Sequence, residues 1–156
     1  MEGFETFFED NYGDVLRSVA FALGDRDRAE DLTQEAFARA YQRWGRVAAM
    51  ERPVTWVYVV ALNAERKRWK RERTEDIEEP GRGESDHASR VVTGVVVRDA
   101  VHRLAARQRA AVALRYVSDL TVADIARIMA CSEGTVKATL HQALGKLRVD
   151  LQGSEP

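Results

Sequence analysis

Residues 121–148, TVADIARIMACSEGTVKATLHQALGKLR, carry two helix-start signals in close succession. Thr121 and Asp124 form a T-x-x-D pair whose side-chain oxygens can take up the free N–H groups of a first helical turn. Val122, Ile125, Ala126 and Met129 then fall on one helical face. Ser132 is a second capping residue, and behind it Val136, Leu140, Ala143, Leu144 and Leu147 recur at three- and four-residue steps. A short helix, a tight turn and a longer helix make a helix-turn-helix. Ala130 stands where that turn would call for positive φ, a conformation that suits Gly better.

The longer helix turns its apolar side toward Val136, Leu140 and Leu147. Its other side carries Gly134, Ala138, His141, Gln142 and Gly145, with Thr135 and Lys137 flanking the N-terminal end. Small, hydroxyl, amide and cationic groups at a helix start suit entry into a DNA major groove, within reach of phosphates and base edges. The same pattern fits a helical hairpin with a solvated face, and periodicity alone does not choose between the two.

The chain has 156 residues, enough for one compact domain or two small ones. Its longest apolar run with aromatics, Trp56 to Leu62, is too short to span a bilayer, so membrane insertion is not expected. The acidic N-terminus is neither a signal peptide nor a basic transit peptide, and cytoplasmic residence is expected. Cys131 is the single cysteine, so no internal disulfide forms. His87, His102 and His141 lack ligand spacing, and no metal is expected. The net charge of −1 conceals two acidic and two basic zones: 1–50 and 74–96 each carry −4, 51–73 carries +4 and 97–156 carries +3. Weak overall attraction to DNA suggests help from a larger partner.

From the N-terminus, residues 2–23 read as one or two helices striped by Phe4, Phe7, Phe8, Val15, Leu16, Val19, Ala20 and Leu23, with Gly24 as a left-handed cap. Asp27 and Glu30 make a D-x-x-E start signal for a helix over about 28–44. Ala29, Leu32, Ala36, Phe37, Ala40, Tyr41 and Trp44 face inward on this reading. Asp31, Gln34, Glu35 and Arg39 lie on the other side; from the residues alone they form a solvated polar face. Residues 45–53 read as a loop, and Pro53 suits the first turn of the next helix. That helix starts apolar and becomes cationic, with Arg66, Lys67, Arg68, Lys70, Arg71 and Arg73 around Trp69. Six cations in eight residues exceed what a helix dipole needs. Phosphate contact and aromatic stacking with single-stranded DNA is the favoured reading. Residues 74–90, rich in acids with Pro, Gly and Ser, read as a mobile linker. Val91 to Val97 reads as a helix start continuing through Val101 and Leu104, followed by a helix over 107–116 and a frayed tail after Leu151. No phosphate-binding Gly-rich loop, no Ser/His/Asp arrangement and no desolvated acid pair is present, so neither catalysis nor a cofactor is expected.

Three stretches together resemble the bacterial extracytoplasmic-function (ECF) sigma factors, the small two-domain type of the primary sigma family. DLTQEAFARAYQRW at 31–44 resembles the region-two helix that binds the clamp of core RNA polymerase. PVTWVYVVALNAERKRWKRER at 53–73 resembles the segment that melts and holds the −10 promoter element. RQRAAVALRYVSDLTVADIARIMACSEGTVKATLHQALGKLR at 107–148 resembles region four, which reads the −35 element.

The resemblance implies an all-α protein of two small helical domains joined by a flexible acidic linker. Residues 1–73 would bind core polymerase and the −10 element, 74–92 would link, and 93–151 would hold the helix-turn-helix. It implies core-polymerase contacts by Asp31, Gln34, Glu35 and Arg39, the last pairing with acids on the partner. It implies −10 contacts by Arg46, Arg52, Asn63, Arg66, Lys67, Trp69, Lys70 and Arg71, with loop 45–52 and Asn63 capturing a flipped base. It implies −35 contacts by Ser132, Glu133, Gly134, Thr135, Lys137, Ala138, His141 and Gln142. An anti-sigma protein is a further implied partner.

The sequence departs from the family at several positions. Val59 and Leu62 stand where Arg is usual, and Ala105 where Pro commonly follows Leu104. The common T-V-K-S-R-L-x-R-A is here Thr135-Val136-Lys137-Ala138-Thr139-Leu140-His141-Gln142-Ala143, without its Ser and two Arg. Contacts at −35 are therefore expected to be fewer in charge or differently specific. Two other readings fit the residues: a DNA-binding regulator with a LuxR-like helix-turn-helix acting without polymerase, and a helical adaptor or degenerate sigma.

Overall fold

A computed structural model describes residues 3–75 and 94–153, and every regular element among them is helical. Helices α1 (Phe4–Leu23) and α2 (Arg26–Gln42) form a hairpin. Gly24 closes α1 in the left-handed region at φ 69°, and its N–H donates to the Ala20 carbonyl at 2.8 Å. A Cβ at Gly24 would also come within 2.9 Å of the His102 ring, so only glycine fits there. Asp25 then caps α2 by accepting from the Arg28 N–H at 3.1 Å. The start signal thus lies at Asp25, two residues before the expected Asp27.

An aromatic seam joins the hairpin. Phe4, Phe7, Phe8 and Tyr12 of α1 meet Phe37, Tyr41 and Trp44, with Phe4–Trp44 and Phe8–Phe37 edge-to-face at 5.4 and 5.3 Å. Tyr41 is not inward as the spacing suggested: it is 49% exposed, because Phe37, Ala40 and Trp44 take the face toward α1. Its ring lies on the rim, 5.2 Å from Phe4. The chain breaks at Arg43 (φ −118°), and Trp44 opens a short helix, α3 (Trp44–Ala48), where a loop was expected. Pro53 begins α4 (Pro53–Leu62); one 3-10 turn at 63–65 leads into α5 (Arg66–Glu75). The linker expected over 74–90, and Val91 to Thr93, fall outside the described residues from 76 onward.

The second set comprises α6 (Gly94–His102), α7 (Ala106–Val112), α8 (Val122–Met129) and α9 (Glu133–Gln152). A π-turn at 113–117 extends α7 and leaves the Ala113 carbonyl to the Ser118 N–H at 3.2 Å. Both start signals of the helix-turn-helix form: Asp124 N–H donates to Thr121 Oγ1 at 3.1 Å, and Thr135 N–H to Ser132 Oγ at 3.0 Å. Ala130 closes α8 in the left-handed region at φ 59°. A Cβ in that conformation is strained by on the order of 1 kcal/mol. Ala130→Gly is therefore expected to raise the urea unfolding midpoint, by about 0.5 kcal/mol after the entropy Gly adds to the unfolded chain. An unchanged or lower midpoint would show that Ala130 is not strained.

The two sets share one core. Val15 and Val19 of α1 pack with Ala110, Ala111 and Leu114, and α4 packs on α8. Small residues along α7 (Ala106, Ala110, Ala111) allow α1 and α5 to approach closely. Arg109 is 9% exposed and crosses between the sets, donating from Nε to the Ala22 carbonyl at 2.9 Å and from Nη1 to the Leu104 carbonyl at 3.1 Å. Burial, and secondarily Arg68, lower its pKa from an already very high value, so it stays charged. Since α1 has no basic residue in its last turn, Arg109 supplies the cation its C-terminus favours.

Candidate nucleic-acid interface

The cationic segment sorts itself by face. Lys67, Arg68, Lys70 and Arg71 of α5 are exposed, while Glu65, Trp69 and Glu72 fall at inward-facing steps of four and three. Trp69 is 2% exposed and belongs to the core. The expectation that it stacks on bases is corrected: neither face of its indole is open. Glu65 is also buried and pairs with Arg28 of α2 at 2.9 Å. Glu72 replaces a cap that α7 lacks. Ala105 has no side-chain acceptor, and the Ala106 and Arg107 N–H groups donate to the Glu72 carboxylate at 3.3 and 2.9 Å.

Arg46, Arg52 and Asn63 are exposed. Between α3 and α4 a pocket of about 150 Å³ is lined by Arg43, Arg46, Val47, Met50 and Trp56. Trp56 is half-buried there, an aromatic at the pocket that the apolar run around it disguised in the sequence. Two of the expected −10 cations are engaged with the second set. Arg52 Nη2 lies 2.7 Å from Asp124 Oδ2, and Arg66 donates to the Ile128 and Arg127 carbonyls, both at 3.1 Å. Asp124 was legible only as a capping residue. Its own N–H is capped by Thr121, but its carboxylate is 2% exposed and reaches α4, where Thr55 Oγ1 donates to it at 3.5 Å.

On α9, Glu133, Gly134, Lys137, Ala138, His141 and Gln142 are exposed along one face, with Ser132 exposed at its start and Thr135 half-buried. Thr139, at a position where the family usually has Arg, is buried and accepts from Arg107 Nη1 at 3.1 Å. That missing Arg therefore takes no charge from the exposed face; Gln142 does. On α2, Asp31, Gln34, Glu35 and Arg39 are all exposed. Arg39 pairs with Glu35 of its own helix at 2.7 Å. Gln34 also borders an open groove lined by Phe4, Phe8, Tyr12 and Tyr41. Among the described residues there is no cluster of metal-ligating side chains and no helix long and apolar enough to cross a membrane.

Residues 7–75 match the family model for sigma-70 region 2, and residues 95–147 match sigma-70 region 4. An RNA polymerase sigma-E factor of Streptomyces antibioticus is 30% identical over 96% of this chain and 84% of its own length. The ECF RNA polymerase sigma factor SigL of Mycobacterium tuberculosis is 32% identical over 92% of this chain and 86% of its own. The fold is also that of the sigma factor RpoE from Bartonella quintana, solved in complex with the anti-sigma factor NepR: TM-score 0.73 and 22% identity, covering 97% of this chain and 98% of that one. With both regions in order and relatives alike over most of their length, the chain belongs to the ECF family of RNA polymerase sigma factors, transcription initiation factors that bind core polymerase and direct it to promoters.

Proposed function

We propose that residues 1–73 dock on core RNA polymerase and hold the melted −10 strand, that 74–92 connect, and that 93–151 read the −35 duplex. The observation that carries this reading is the exposed cationic face of α5 (Lys67, Arg68, Lys70, Arg71), set apart from an inward face of Glu65, Trp69 and Glu72. Such a face tracks a phosphate backbone. Arg46, Arg52, Asn63 and Arg66 extend it. Trp56, beside the pocket of Arg43, Arg46, Val47 and Met50, takes the stacking role withdrawn from Trp69. A base flipped into that pocket repays a few kcal/mol of unstacking.

Asp31, Gln34, Glu35 and Arg39 form the polymerase-docking face. Ser132, Glu133, Gly134, Thr135, Lys137, Ala138, His141 and Gln142 enter the −35 major groove, with Lys137 the main phosphate contact. The protein works in the cytoplasm as an initiation factor rather than an enzyme. An anti-sigma protein is its regulatory partner, in keeping with the complex in which the Bartonella quintana relative was solved.

Two variants test the assignment. Gln34→Ala with Glu35→Ala should weaken binding to immobilised core polymerase while the far-ultraviolet circular dichroism stays unchanged, since both side chains are exposed. Undiminished binding would move the docking face elsewhere. Lys137→Ala should weaken binding to −35 duplex DNA and shallow the salt dependence by about one phosphate contact. An unchanged slope would remove Lys137 from the interface.

A further inference from the structure

A further opening in the surface is lined by no residue assigned above to polymerase or DNA. Helices α1, α2 and α6 form a pocket of about 710 Å³, within the roughly 300–1,000 Å³ usual for small-molecule sites. Its floor is apolar: Ala20 and Phe21 of α1, Val97 and Val101 of α6, and Val117 of the π-turn. Val97 is 39% exposed, and Ala20, Phe21 and Val117 are half-buried, so the chain's own packing leaves most of this floor uncovered. One wall is set by the close approach of His102 to Gly24, where a Cβ would come within 2.9 Å of the ring. Three exposed arginines border the pocket: Arg17 and Arg26 from the hairpin and Arg98 from α6.

The charges around this floor select its ligand. Arg17 pairs with Asp14, and Arg26 lies 3.5 Å from Glu30. Arg98 has no ion pair among the described residues. Asp25, the one acid on the lining, is engaged at the start of α2, where it accepts from the Arg28 N–H at 3.1 Å. The pocket therefore sets an apolar floor beside one unmatched guanidinium, whose planar fork fits a carboxylate through two parallel N–H···O bonds. An ammonium head would meet three cations, and a doubly charged phosphate head would bring its second charge beside Asp25. We propose that this pocket binds a small amphiphilic monocarboxylate, its apolar body on Phe21, Val97 and Val117 and its carboxylate against Arg98. Such a site makes the protein itself a receptor for a metabolite-sized acid, apart from the faces it turns to polymerase and promoter.

Equilibrium dialysis of radiolabelled decanoate against the full-length protein, below the concentration at which decanoate forms micelles, tests this directly. Saturable uptake of one decanoate per chain is expected. Unlabelled decanol and decyltrimethylammonium should compete about tenfold or more weakly than unlabelled decanoate, as the loss of a charge-assisted bond implies. Decyl phosphate should also compete more weakly. Arg98→Ala is expected to weaken decanoate binding about tenfold, to the level of decanol. Val97→Asp, at an exposed position, should abolish uptake with unchanged circular dichroism. Tyr41→Ala, in the separate aromatic groove of α1 and α2, should leave uptake unchanged. Non-saturating uptake, equal competition by decanol, or undiminished uptake by Arg98→Ala and Val97→Asp would overturn the site. Tighter competition by decyl phosphate would overturn the carboxylate assignment. Loss of uptake in Tyr41→Ala, with Val97→Asp unaffected, would place the ligand in the aromatic groove instead. None of these outcomes alters the polymerase, −10 or −35 assignments.

Discussion

Lys67→Glu with Arg71→Glu is expected to abolish promoter opening and leave the fold intact. Both side chains are exposed on α5, away from the inward face of Glu65, Trp69 and Glu72, so reversal disturbs no packing. Each reversal removes a phosphate contact and places repulsion in its stead. For two positions the loss of affinity for a single strand is on the order of 100-fold or more at low salt. The salt dependence should flatten at the same time, because fewer counterions are released. Permanganate footprinting of a promoter bound by holoenzyme reads opening directly. Unpaired thymines should vanish for the variant, while its circular dichroism and its retention on core polymerase match the unsubstituted protein. A fully reactive −10 region would show that α5 does not hold the strand.

Arg109→Met is expected to cost about 2–4 kcal/mol of stability, the largest loss foreseen for a charged residue here. Methionine fills much of the same space but leaves the Ala22 and Leu104 carbonyls without their donor. It also removes the cation from the C-terminal end of α1, which has none of its own. The urea unfolding midpoint is the readout. A shift below about 1 kcal/mol would mean that water replaces the guanidinium at both carbonyls and that the crossing is ornamental to the packing.

The helix-turn-helix was legible because its signals are local: Thr121 and Ser132 cap as their spacing suggests, and even the positive φ at Ala130 could be named in advance. The faces of α2 and α9 were legible for the same reason, since side chains three and four apart must share a side. Trp69 was misread because an aromatic within a basic run serves stacking and packing equally well by composition. The better signal was the spacing of the non-cationic residues Glu65, Trp69 and Glu72, which turn inward, the first from the 3-10 turn and the other two from α5. Tyr41 sits at the edge of an otherwise regular stripe, where periodicity cannot separate rim from core. Contacts between the two sets were beyond reach. Asp124 looked like half of a capping pair, and nothing nearby in sequence marks Arg52 or Thr55 as its partners. The same holds for Glu72 capping α7 and for Arg109 reaching the Ala22 carbonyl: each partner is set by how the two sets pack.

The central claim is that this chain gives core polymerase its promoter choice, and transcription tests it most directly. Purified core RNA polymerase would transcribe a pool of genomic fragments with and without the protein, and the 5′ ends would be mapped. The account predicts new, discrete start sites that require the protein, share −35 and −10 elements, and disappear with Lys67→Glu/Arg71→Glu. An unchanged set of starts, together with tight binding to duplex DNA in the absence of polymerase, would contradict it and favour a regulator that acts alone.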